Sequence, residues 1–256
     1  MPLDAATSIE LVAACFAAGT MDAVAGGGGL IQLPALLAVL PEAAPAALIA
    51  TNKIASFAGT AGAAVRYSRA MPPPWRMTMA AAAAAFLCSA LGAWLLAAIP
   101  AALVRRSVPL VMLGVLALAA GHRLGEVHEP HAPSRGRTLA ATGGSGLIGL
   151  YDGLLGPGAG TFYQLLFVRL LRFDFLHAAA PARLANLASN VAAILVLGSL
   201  VDLSPLLVLF MAAANFGGGQ LGSHLALLRG NRLVRRAFFL VSALLLARAL
   251  WTAYRA

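Results

Sequence analysis

The chain has 256 residues, 61% of them hydrophobic and 11% charged, with a mean hydropathy of +0.85. One soluble core cannot hide that much apolar surface, so lipid must cover most of it, and a water-soluble globular fold is excluded. The net charge of +9 would suggest nucleic acid in a soluble protein, but in a membrane chain loop arginines mark the cytoplasmic side, and no nucleic-acid partner is expected.

In chain order, the opening "MPLDAATSIE" has no basic region and does not read as a cleaved signal peptide. An apolar stretch then runs from Ser8 to Leu40, interrupted by "MDAVAGGGGLIQLP" at 21 to 34. It is too long for one straight span, and Gly26 to Gly29 each cost a helix about 1 kcal/mol. Two helical arms meeting at a break are predicted, the second starting near Leu30. Further spans are expected at Pro45 to Val65, Met77 to Ile99 and Val108 to Gly121. "EVHEPHAPSRGR" at 126 to 137 reads as a polar linker, with His128 and His131 solvated. A second broken stretch occupies 138 to 170, where Pro157 in "GPGAG" reinforces the stop and the following arm starts near Gly160. Spans at Ala178 to Leu200, Pro205 to Leu228 and Phe238 to Trp251 complete the chain. Cys15 and Cys88 sit in apolar segments as small buried hydrophobes, no histidine set has metal-ligand spacing, and neither metal nor cofactor is expected.

A shift of 130 residues superimposes the two parts. It places "GTMDAVAGGGG" (19 to 29) on "GLYDGLLGPGA" (149 to 159), Asp22 on Asp152, Lys53 on Arg183, Gly92 on Gly222, and "LVRR" (103 to 106) on "LVRR" (233 to 236). The expected organisation is a first membrane repeat over 1–125, a linker over 126–137 and a second repeat over 138–256. Loop charge differs between equivalent connections. "LPEAAP" has no basic residue where the second half has Arg169 and Arg172, and the next connection carries Arg66, Arg69 and Arg76 in the first half against Asp202 in the second. An all-α polytopic fold of two inverted-topology repeats follows, each a glycine-broken helical hairpin plus three transmembrane helices. Cytoplasmic positions then hold those arginines together with Arg123, Arg135, Arg137, Arg229, Arg232, Arg235 and Arg236, while Arg105 and Arg106 oppose the assignment. Both termini are expected outside and the linker inside.

Irregular backbone at membrane depth is tolerated only where it is buried in protein or lines a cavity. Two breaks related by inverted symmetry describe a transporter's midplane site, and the N-termini of the arms that follow favour an anion. Gly27, Gly28, Gly29, Gly158, Ala159 and Gly160 are the backbone candidates for substrate binding. Lys53 and Arg183 are the cationic candidates, because a basic side chain inside a span usually faces a cavity or a partner. Asn52, Asn186 and Asn190, with Ser189, are polar candidates, and Asp22 and Asp152 are candidates for proton coupling. Plainer roles exist for each: helix packing for the glycines, capping for the aspartates, charge neutralisation for the cations, and helix bridging for the asparagines.

The pairing of "DAVAGGGG" with downstream "TNK" (51 to 53), and of "YDGLLGPGAG" with "ARLANLASN" (182 to 190), resembles the sulfite exporter TauE/SafE family of the toluenesulfonate uptake permease group. The resemblance covers essentially the whole chain. It implies a multi-pass transporter in a cell membrane, the inner membrane of a bacterium, moving sulfite, sulfonate or organosulfonate anions by alternating access, and no enzyme. Arg183 stands where the resemblance leads one to expect lysine. Two other readings remain. An anion channel could use the same site without alternating access. "GGSG" at 143 to 146, with Ser145 and a later His224, fits the pattern of an intramembrane serine protease. A nucleotide-binding loop is not expected, since no Gly-Lys-Ser/Thr follows the glycines.

Overall fold

The computed structural model describes residues 4–121, 133–201, 203–229 and 247. Among them the secondary structure is helical throughout: α1 (Ala5–Ala25), α2 (Gly29–Val39), α3 (Pro45–Ala70), α4 (Trp75–Ala98), α5 (Ala101–Gly121), α6 (Arg135–Leu154), α7 (Ala159–Leu171), α8 (Ala179–Leu197) continued by a 3-10 turn (Gly198–Leu200), and α9 (Pro205–Arg229). Among the described residues four segments are long and apolar enough to cross a membrane: Ala5–Ala25, Trp75–Ala98, Ala179–Leu200 and Pro205–Leu228. Their outer faces leave Leu87, Trp94, Leu195 and Leu209 exposed, as contact with lipid requires. α3 has the length of a span and carries Lys53, Arg66 and Arg69 as well.

Most expected spans match these helices closely. α5 starts earlier than the expected Val108, because Arg105 and Arg106 lie inside its first turns rather than in a loop. Arg105 reaches back to the α2–α3 connection, where it donates to the carbonyls of Pro41 and of Ala43, the latter at 2.7 Å. An arginine can sit in a span's end when its head is returned to polar atoms this way. The expected span at Phe238 to Trp251, the second "LVRR", Arg123, Arg232, Arg235, Arg236, and the linker part holding His128 and His131 lie outside the described residues.

Both glycine motifs break the helix where expected. α1 ends at Ala25, and Gly26 takes φ 80° while its N–H donates to the carbonyl of Asp22 at 2.7 Å. The Asp22 carboxylate then accepts from Gly28 N at 3.4 Å, and α2 begins at Gly29. In the second motif Leu155 and Gly156 both donate to the Tyr151 carbonyl, Gly156 and Gly158 take φ 91° and 77°, and α7 begins at Ala159. The Tyr151 hydroxyl clamps this break by donating to the Pro157 carbonyl at 2.7 Å.

Helix starts recur at the 130-residue offset: Ala5 and Arg135, Gly29 and Ala159, Trp75 and Pro205. The caps recur too, since Asp4 accepts from Thr7 N and Ser134 from Arg137 N. At Asp4 the Thr7 side chain and then its backbone N–H hold the carboxyl below its ordinary value. Packing repeats the pattern, with α1 on α9 and α6 on α4, with α3 on α9 and α8 on α4, and with α3 and α8 on each other. These crossings are close because the contact residues are small: a Cβ on Gly19 or Gly222 would strike the facing α9 or α1 backbone, and one on Gly149 or Gly92 that of α4 or α6. α3 and α8 run antiparallel. Tyr67, near the end of α3, shares a buried cluster with Ala179 and Ala180 at the start of α8, whereas Ile49 and Leu197, at their opposite ends, share another.

Candidate functional site

The two breaks touch. A Cβ on Gly26 would overlap the Gly160 carbonyl and Thr161 N, and the Thr161 hydroxyl donates to the Ala25 carbonyl at 2.8 Å. Backbone lies on backbone here, so the helix ends need no side-chain spacer, and unpaired amides stay away from lipid.

Beside this crossing lies a cavity of about 20 Å³, lined by Asp22, Gly26, Gly29, Asn52, Lys53, Ser56, Asp152, Gly156, Gly158, Ala159, Gly160, Asn186 and Asn190. It brings together the N-terminal turns of α2 and α7, the middle of α3 and the middle of α8. Lys53, only 2% exposed, pairs with Asp152, which Ser189 also hydrogen-bonds through its hydroxyl. The other aspartate is held differently, its carboxylate accepting from the Thr60 hydroxyl at 3.1 Å. The formal charges at the cavity are thus one ammonium against two carboxylates. A volume of this size holds about one water.

Most of the sequence-predicted residues meet at this cavity, but Gly27, Gly28, Arg183 and Ser189 are not among those lining it. Gly27 and Gly28 instead give their carbonyls to the first amides of α2. Arg183 is fully buried away from the cavity wall, where its Nη2 donates to the Gln164 side chain at 3.0 Å and to the Ala23 carbonyl at 3.2 Å. Gly26, Gly156 and Ser56 line the cavity without having been named as binding candidates. The 130-residue offset could have found Ser56 and Thr60, which fall on Asn186 and Asn190.

The protease alternative gains no geometry. Ser145 is buried in α6 with no hydrogen-bond partner for its hydroxyl. His224 is exposed on α9, which packs on α1 and α3, whereas α6 packs on α4, α7 and α8. Among the described residues no cluster of histidine, cysteine and carboxylate side chains could hold a metal.

The family model described as "Sulfite exporter TauE/SafE" matches residues 11–249. The chain belongs to the sulfite exporter TauE/SafE family. It is 34% identical over 240 residues to "Probable membrane transporter protein YfcA" of Escherichia coli (strain K12), covering 93% of this chain and 87% of that one. It is 31% identical over 242 residues to "Probable membrane transporter protein ORF9" of Sinorhizobium sp, covering 94% and 91%. It is also 32% identical over 239 residues to a "Probable membrane transporter protein" of Haemophilus influenzae, covering 92% and 91%. No solved structure matches. A TauE/SafE member with this set of apolar helices is a multi-pass membrane transporter of the cell membrane, and the names in the family are those of transporters rather than enzymes.

Proposed function

We propose that this transporter moves small sulfur-containing anions, sulfite or organosulfonates, by alternating access around the cavity where the two breaks meet. The observation that carries this reading is Lys53, a buried ammonium set between two helix N-termini in a space walled by backbone amides and asparagines. A helix N-terminus and an ammonium both favour negative charge. The cavity is too small for a sulfur oxyanion until its walls part, so in this reading the structure is the closed state, in which Asp152 holds Lys53 and the anion exchanges places with that carboxylate. Since two carboxylates already face one ammonium, uptake of a proton at Asp22 or Asp152 with each anion would balance the charge. Export of an anion from an inside-negative cell gains roughly 2.3 kcal/mol per 100 mV and needs no such coupling, whereas uptake does.

Two halves of inverted topology would place this cavity near midplane. The antiparallel run of α3 and α8, the recurrence of helix starts at one offset and the exchange of α1·α9 for α6·α4 packing support that arrangement. In a background lacking Cys15 and Cys88, cysteines at Thr7 and Ser134 are expected to label from opposite sides of the membrane, the first from outside. Labelling of both from one side removes the inverted arrangement.

The transport test is flux in proteoliposomes with sulfite, sulfoacetate, taurine and sulfate, each with and without a pH gradient. Saturable sulfite or sulfonate flux that shows counterflow is the expected result. Flux that neither saturates nor shows counterflow would make the protein an anion channel, and no flux of any of the four would remove the sulfur-anion reading.

A further inference from the structure

Arg183 is fully buried, and its Nε and Nη1 have no hydrogen-bond partner. Both of its bonds, from Nη2, go to neutral oxygens, those of Gln164 and Ala23, and no described carboxylate pairs with it. An uncompensated guanidinium inside a membrane protein is costly, and such a group usually faces a partner or a pathway. Lys53, the equivalent residue of the other half, is by contrast paired with a carboxylate.

The surroundings of Arg183 are unusual in a second way. The Tyr67 hydroxyl donates at 2.8 Å to the Ala23 carbonyl that Arg183 also uses. Tyr67 is otherwise packed against Ala23, Val24, Ala63, Ala179, Ala180 and Ala226. At the 130-residue offset Tyr67, Ala179 and Ala226 correspond to Leu197, Ile49 and Leu96, which belong to the large aliphatic core at the other end of α3 and α8. At these three positions one end of the helix pair therefore carries bulky aliphatics, and the other a tyrosine and two alanines, with Val24, Leu176 and Leu227 beside them and a cation behind the ring. That second end is also where the arginines gather: Arg66 and Arg69 close α3, and Arg169 and Arg172 precede α8. Arg183 stands about 6 Å along α8 from its first residue, at 1.5 Å per residue, between this basic end and the cavity.

We infer that Arg183, walled by Tyr67 and Gln164, is a second anion station on the arginine-rich side of the central cavity, distinct from the Lys53 site and in series with it. The inference rests on the anion-transport reading and adds a place to it. Its ligand class is the same small oxyanion, held by the guanidinium N–H groups that the protein leaves unpaired; a planar guanidinium can hold two oxygens of a sulfite at once. An anion arriving from the basic side would meet Arg183 once the Tyr67 ring moves, and would pass to Lys53 as Asp152 withdraws.

Sulfite titration of the purified full chain tests this, with wild type, Arg183→Gln, Arg183→Lys and Lys53→Gln each confirmed monodisperse. Wild type is expected to take up two sulfites, and Arg183→Gln one, with the affinity of the remaining site changed less than about threefold. Arg183→Lys is expected to keep two, the second weakened roughly tenfold by loss of the bidentate fork, and it serves where the glutamine variant does not fold. Lys53→Gln should keep only the Arg183 event. A single sulfite in wild type that Lys53→Gln abolishes and Arg183→Gln spares overturns the second station and leaves the transport reading standing. Wild type that binds no sulfite overturns both.

Discussion

Lys53→Ala is expected to weaken sulfite binding at the central cavity by about ten- to a hundredfold, the equivalent of one charge-assisted hydrogen bond of roughly 1.5–3 kcal/mol. The substitution also strands Asp152, which is 1% exposed and has Lys53 as its ion-pair partner. Breaking a buried pair from one side costs about 3–5 kcal/mol, so the variant should lose stability as well as affinity. The two effects separate in the double variant Lys53→Ala with Asp152→Asn. Removing the orphaned charge should recover most of the stability, because the Asn amide still bonds Ser189, while sulfite affinity stays low. Asp152→Asn alone should bind sulfite more tightly than wild type, since the carboxylate that occupies the ammonium in the closed state is gone. Calorimetric titration with thermal unfolding on the same samples is the measurement. A double variant that binds as well as wild type would show that Lys53 does not hold the anion.

The breaks were legible in the sequence because glycine, proline and aspartate are all expensive in an apolar helix, and each motif gathers them within a few residues. The expected arms at Leu30 and Gly160 fall one residue from the observed starts at Gly29 and Ala159. Asn52, Lys53, Asn186 and Asn190, named as candidates for their polarity within spans, all line one cavity, whereas Arg183 does not. What the sequence did not carry is how pseudo-equivalent residues part company. Lys53 and Arg183 are equal under the 130-residue shift, yet one pairs with Asp152 and the other with Gln164 and a carbonyl. The difference comes from partners that do not repeat: proline stands at 34 where Gln164 would have its equivalent, and leucine at 197 where Tyr67 would have its own. Neither side chain looked functional alone, since a glutamine or tyrosine in a span is as easily a helix bridge. The early start of α5 was hidden for a related reason, because Arg105 reads as loop until its carbonyl partners at Pro41 and Ala43 are known.

Gly26→Ala should be far more damaging than the same methyl at Gly156 or Gly114, and it separates the folding role of the breaks from their binding role. At φ 80° a side chain costs about 1–2 kcal/mol in the backbone alone. The added Cβ also overlaps Gly160 and Thr161 backbone, which no rotamer change can clear, so the crossing of the two motifs must open. Gly156→Ala carries similar backbone strain at φ 91°, but its two nearest neighbours are the ends of side chains, Lys53 Nζ at 3.0 Å and Asp152 Oδ1 at 3.1 Å, and the nearest backbone atom, the Asp152 carbonyl oxygen, stands off at 3.2 Å. The side-chain ends can yield and the carbonyl needs to give by only a few tenths of an ångström, so Gly156→Ala should remain folded with a lowered Tm and lose sulfite binding as the methyl pushes into the cavity. Gly114→Ala, which meets nothing within 4 Å in the middle of α5, is the control and should be neutral or stabilising by up to about 1 kcal/mol. Size-exclusion profiles and unfolding temperatures of the three variants make the comparison. The expected order is a missing or aggregated Gly26→Ala, a weakened Gly156→Ala and an intact Gly114→Ala. If Gly26→Ala unfolds at the same temperature as Gly114→Ala, the two breaks do not rest on each other, and the cavity between them loses its floor.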